Sequence, residues 1–230
     1  MNMQIHRASQ RGHANHGWLD SHHTFSFAGY YDPKMMGFGH LRVINQDTVA
    51  AGRGFGRHPH RNMEIISYVL DGALAHEDTT GSGGVLRHGD VQTMSAGRGV
   101  AHSEMNASET DPVHFLQIWL LPRQGNTEPE YAQQFFDLDE RGLRLVVSPD
   151  GRDGSLQIGQ DTDLYRVLMD ANDKLAHDVK RQRAWIQIVR GELLVEGVLL
   201  QPGDGLAIDG ADALRMTAQS DVEALLFDLL

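Results

Sequence analysis

The chain has 230 residues, 40% of them hydrophobic and 22% charged, which describes a globular protein with room for one large β domain or two smaller ones. No apolar run reaches bilayer length and the first residues, MNMQIHRASQRGHANHG, lack a signal-peptide core, so a cytoplasmic location is expected. Acidic residues outnumber basic ones by 31 to 20, which excludes broad binding to nucleic acid or a membrane surface, and the absence of cysteine excludes disulfides, thiolate metal sites and cysteine nucleophiles.

Along the chain, short apolar runs recur between Gly, Pro, Asp and Asn. The first half carries HLRVIN, EIISYVL, DVQTM and VHFLQIWLL; the second carries LRLVVS, LYRVLM, AWIQIV, ELLVEGVLL, GLAI and ALLFDLL. Helical periodicity is nearly absent, so the chain is expected to be all-β, a sandwich or barrel. The exception is EPEYAQQFFDL, residues 128–138, which reads as a weak helix or an extended connector. DGALAHED around Gly72 and LRHGDVQTM around Gly89 return as RGELLVEG around Gly191 and LQPGDGLAI around Gly203. Two copies of one β-unit predict two barrels, here divided as 1–138 and 139–230.

Thirteen histidines are the unusual feature of the composition, because imidazole is the commonest metal ligand. In GFGRHPHRNME, His58 and His60 are two apart, and on a strand they share a face. In GRGVAHSEMN, His102 and Glu104 have the same spacing. Brought together across a barrel, these four offer three nitrogens and one carboxylate oxygen, a set suited to Fe(II), Mn, Co, Ni, Cu or Zn rather than Mg or Ca. The plain alternative is a polar cluster satisfied by hydrogen bonds. His22 and His23 are adjacent, face opposite sides of a strand and cannot easily chelate one ion, so one is read as surface and one as support for the site. His76, His88 and His114 are read as structural. GRGVAH and GSGG are turns, since neither is set as a dinucleotide or Walker loop.

The spacings resemble the two cupin motifs: Gly52, five residues, HPH and Gly72, then Gly89, Gly97, His102 and Asn106. More specifically, HGWLDSHHTFSFAGYYDPKMMGFGHLRVIN, HPHRNMEIISYVLDG and MSAGRGVAHSEMN resemble the pirin family in its short bacterial branch, strongly over residues 10–122 and moderately beyond. That resemblance implies a bicupin of two β-barrel (double-stranded β-helix) domains, with His58, His60, His102 and Glu104 as ligands of one divalent ion, Fe(II) foremost. Glu64 departs from the general cupin pattern and becomes structural or supporting, and Ser95 stands where cupins carry proline. The repeat sets His177 opposite His58, but Val179, Met216 and Ala218 opposite His60, His102 and Glu104. Only the N-terminal barrel is therefore expected to hold an ion.

The resemblance further implies a quercetin 2,3-dioxygenase, which opens a flavonol ring with O2 and releases carbon monoxide. Glu104 is then a ligand that also takes the substrate proton. Phe25, Phe27, Tyr30, Met35, Met36 and Phe38 are candidates for a pocket around a small aromatic substrate, and Gln117 for a contact with substrate or water. A monomer is expected. The alternative from another class is a metal- or redox-sensing regulator that docks onto a protein partner with little catalysis.

Overall fold

Alternation of burial along single strands builds this protein. In Val100–Asn106 the side chains of His102, Glu104 and Asn106 point inward, while Ala101, Ser103 and Met105 point out. Leu41–Val49 shows the same two-residue rhythm, with Leu41, Val43, Asn45, Asp47 and Val49 all buried. The computed structural model describes residues 1–230 and is almost entirely strand, with two short 3₁₀ turns at Ala8–Gln10 and Arg152–Gly154. No helix is long and apolar enough to cross a membrane.

Each apolar run named above falls on a strand, and ELLVEGVLL becomes the hairpin Leu193–Val195 and Val198–Leu200. The stretch 128–138 resolves as the strand Glu130–Phe135, paired antiparallel with Asp90–Ser95. Partner hydrogen bonds at a sheet edge decide it where propensity alone was neutral.

The chain divides into two units. The N-terminal barrel is Gly12–Phe136 with Leu156–Gln160. Its larger sheet has the order Glu130–Phe135, Asp90–Ser95, Glu64–Asp71, Val113–Leu120, Leu41–Val49, Leu19–His23, Gly12–Asn15. Its smaller sheet runs Gly54–His60, Val100–Asn106, Ala73–Asp78, Gly83–Arg87. The C-terminal barrel is Met1–Arg11, Asp137–Ser155 and Asp161–Leu230. Met1–Arg11 thus groups with the second barrel rather than the first, because Asn2–His6 pairs with Gly205–Asp209 at the edge of that barrel's sheet.

Repeat-related glycines mark the same turn in each barrel. Gly72 has φ +80° and Gly191 φ +75°, and an added Cβ would lie 2.6 Å from the Pro112 carbonyl and 1.9 Å from that of Asp221. A left-handed turn with no space for a side chain admits only glycine, which is why the repeat is legible at those positions. The C-terminal barrel has a large apolar cluster that includes Met216 and Ala218, with Val179 packed against it, and its buried polar residues include Asp163, Arg166 and Asp228. The N-terminal barrel instead keeps two smaller apolar clusters, around Val69 and Phe115 and around Ile65 and Met94. Its lumen also holds buried polar side chains.

Candidate metal centre

Strands Gly54–His60 and Val100–Asn106 pair antiparallel, with His58 directly opposite His102. A register shift between His102 and Glu104 sets Glu104 opposite Phe55 and turns both inward. The three imidazole centroids of His58, His60 and His102 lie 4.5–4.9 Å apart in pairs. One nitrogen from each falls within 4.8 Å of the others. Glu104 Oε2 is 3.9 Å from His102 Nε2. His58, His60 and His102 therefore come together inside the N-terminal barrel, and Glu104 adjoins them through His102.

Hydrogen bonds on the far side of each ring fix what the near side offers. His58 Nδ1 lies 2.8 Å from the Gly56 carbonyl, which can only accept, so His58 carries its proton there and its Nε2 is a bare lone pair. Behind His102, Asp78 is held by Thr80 and Ser82 and accepts from His76 Nε2 at 3.3 Å. His76 Nδ1 is thus left to accept from His102 Nδ1 at 3.4 Å. His102 Nε2 is then also bare, and it faces His58 Nε2 at 3.0 Å. Two lone pairs at that separation repel unless a cation lies between them. Two donors at neighbouring corners of an octahedral ion of roughly 2.1 Å bond length sit about 3.0 Å apart. His60 Nε2 is buried and has no hydrogen-bond partner. The donor set fits a divalent transition ion.

Electrostatics point the same way. Burial, with the neighbouring imidazoles of His58, His60 and His76, pushes His102 down to about 3. Burial and His58 push His60 down to about 4. Both rings are therefore neutral, as a ligand must be, across the physiological range. Burial raises Glu104 to about 7, although Gln117 and Ser67 favour its charged form. Gln117 Nε2 donates to both carboxylate oxygens, at 2.9 and 2.8 Å. Gln117 faces the lumen as expected, but its amide is committed to orienting Glu104 rather than to an incoming molecule.

Sequence reasoning missed His76 and Asp78. The sequence gives His76 no role beyond a structural one, yet it is only 1% exposed and its Nδ1 lies 3.4 Å from His102 Nδ1, behind the cluster. Glu64 accepts from Ser95 Oγ at 2.5 Å and from the Gly159 amide at 3.0 Å, so it ties Leu156–Gln160 to the barrel and stays away from the cluster. The two departures from the general cupin motifs, Glu64 and Ser95, satisfy each other across one sheet pair. In the C-terminal barrel His177 bonds Asp228 at 3.2 Å.

A cavity of about 730 Å³ opens over His58, His60 and Glu104. Its apolar walls are Phe27, Tyr30, Phe55, Phe115 and Trp119. Of the aromatic and methionine run at 25–38, only Phe27 and Tyr30 reach it; Phe25 is buried in the core and Met36 is 43% exposed. Facing the cluster stands a polar wall. Ser21 donates to Asp47, and His23 Nε2 donates to Ser21 Oγ at 2.8 Å. Burial, reinforced by nearby Glu104, raises Asp47 to about 7 against the Ser21 hydrogen bond.

Two such barrels on one chain, with a histidine–carboxylate cluster inside the first, define a bicupin. The Pirin family model matches residues 4–120, and the model described as quercetinase C-terminal cupin domain matches residues 145–229. A protein from Escherichia coli (strain K12) named quercetin 2,3-dioxygenase is 50% identical over 226 residues, covering 98% of this chain and 97% of that one. The crystal structure of YhhW from Escherichia coli superposes with a TM-score of 0.97 at 49% identity, covering 100% of this chain and 98% of that one. The structure of bacterial pirin YhhW in complex with nickel(II), also from Escherichia coli, gives 0.95 at 48%, with 99% of each chain covered. The chain belongs to the pirin family.

Proposed function

We propose that this chain is a metal-dependent dioxygenase that opens the heterocyclic ring of a flavonol such as quercetin with O2 and releases carbon monoxide. His58, His60, His102 and Glu104 would hold one divalent transition ion. The observation that carries the reading is the 3.0 Å approach of the His58 and His102 Nε2 atoms, beside a cavity lined by aromatic rings. The name of the Escherichia coli relative and the nickel(II) complex of its structural counterpart support it. When bound, the ion supplies Lewis acidity that favours the anionic form of an enolic hydroxyl.

The chain's own residues do the rest. Phe55, Phe115 and Phe27 offer flat apolar faces to a planar substrate, and Trp119 stands edge-on to His60 at 4.9 Å. Glu104, released from the ion as substrate enters, takes the enolic proton. Asp47, with a carboxyl near 7 and steadied by Ser21 and His23, presents a second proton-exchanging group to the hydroxylated end of the substrate.

The test is tag-free protein loaded separately with Fe(II), Mn(II), Co(II), Ni(II) and Cu(II), monitored for O2 uptake and loss of flavonol absorbance. Equimolar consumption of both is expected with at least one metal, and its loss in His102→Ala. Absence of turnover with every metal across a panel of flavonols removes the proposal.

A further inference from the structure

A second group of metal-type donors lies on the hairpin that rims the cavity. Strands Gly12–Asn15 and Leu19–His23 pair antiparallel, with His13 opposite His22 and Asn15 opposite Asp20. Directly opposed residues share a face, and Asp20 is two residues before His22, so all three side chains emerge on one side. His13 Nε2 is 2.8 Å and His22 Nδ1 3.6 Å from the same Asp20 oxygen, Oδ1. The two rings stack with centroids 4.5 Å apart and 18° between planes. One donor atom from each of the three residues lies within 4.8 Å of the other two. Donors sharing a tetrahedral ion of roughly 2.0–2.1 Å bond length are about 3.4 Å apart, so shifts of a few tenths of an ångström complete the geometry.

We propose that His13, Asp20 and His22 form a second transition-metal site, separate from the buried cluster. Two imidazoles and one carboxylate, each about half exposed, leave coordination positions to water and suit Zn(II), Ni(II) or Cu(II). His13 and Asp20 form an ion pair at 2.8 Å, and the stacked His22 ring brings a second imidazole nitrogen toward the same carboxylate oxygen, an array that a divalent ion would draw together. The exposed position gives this site faster exchange and weaker binding than the enclosed one. His13 also lines the mouth of the cavity, so the second ion sits beside the route to the first.

The test is titration of metal-free, tag-free protein with zinc chloride, followed by calorimetry and by elemental analysis after equilibrium dialysis. Wild type should bind two ions per chain, and the double variant His13→Ala/His22→Ala one. The double variant His58→Ala/His102→Ala should retain one, and the imidazole resonances of His13 and His22 should shift as it fills. Circular dichroism of the His13/His22 variant checks its fold, which exposed positions should preserve. A zinc stoichiometry unchanged by loss of both His13 and His22, or a His58→Ala/His102→Ala variant that binds no ion, overturns the proposal. Neither outcome depends on whether the buried cluster is catalytic.

Discussion

Glu104 is 2% exposed and is held by three side-chain oxygen and nitrogen contacts, yet its carboxyl remains at about 7 because burial outweighs them. That value sets how an ion competes with protons. Above pH 7 the carboxylate is already formed, and affinity for a divalent ion should be level. Below pH 7 a proton must leave for the ion to enter, so affinity falls about tenfold per pH unit. His60 and His102, at about 4 and 3, add competing protons only in stronger acid. Affinity is therefore expected to drop at least about a hundredfold from pH 8 to pH 5. Glu104→Gln should bind more weakly at pH 8 and lose most of that slope. Competition with a chromophoric chelator measures both, and a wild-type affinity level from pH 8 to pH 5 would contradict the assignment.

The two strands that carry the cluster are set by a close approach at their far end. A Cβ on Gly54 would lie 2.4 Å from the Glu104 carbonyl and 2.6 Å from the Met105 Cα, both backbone atoms that cannot swing aside. Gly54→Ala should therefore push Val100–Asn106 away from Gly54–His60, costing about 1–3 kcal/mol of stability as overpacking does. Because Glu104 is the residue displaced, metal affinity should fall with it. Urea unfolding and metal titration read the two effects, and a variant with wild-type values in both would show that the strands tolerate separation. At this scale the sequence was legible where local chemistry repeats. Strands announced themselves as apolar runs between turns, and HPH and HSE showed their shared faces through the two-residue period. What escaped depends on pairing between distant segments. His76 meets His102 because His102 lies opposite Asp78 and Glu104 opposite His76, a register that nothing near DGALAHED encodes. Glu130–Phe135 escaped for a similar reason, since the Asp90–Ser95 edge rather than its own composition makes it a strand. His13 and Asp20 sat within reach of a local reading, across the turn around Gly17, but only the hairpin register puts His13 beside His22.

Each barrel has its own apolar core, and only one encloses the cluster. At the positions the repeat pairs with His102 and Glu104, the C-terminal barrel packs Met216 and Ala218. The ion should therefore stabilise the two units unequally. A ligand that binds only the folded form adds about 2.7 kcal/mol at a concentration a hundred times its dissociation constant, which slows opening-limited amide exchange by about a hundredfold. In the N-terminal barrel this extra protection should reach Gly54–His60, Val100–Asn106 and the Glu64–Asp71 strand whose Ser67 contacts Glu104. In the C-terminal barrel, Thr162–Met169 and Arg183–Arg190 carry no donor to the cluster, so their exchange should be the same with and without the ion. Hydrogen–deuterium exchange with mass spectrometry, run on metal-free protein and on protein saturated with one equivalent of Ni(II), compares them directly. Equal slowing in both barrels would mean that they open as one cooperative unit, and the picture of two separately stabilised cores would have to be abandoned.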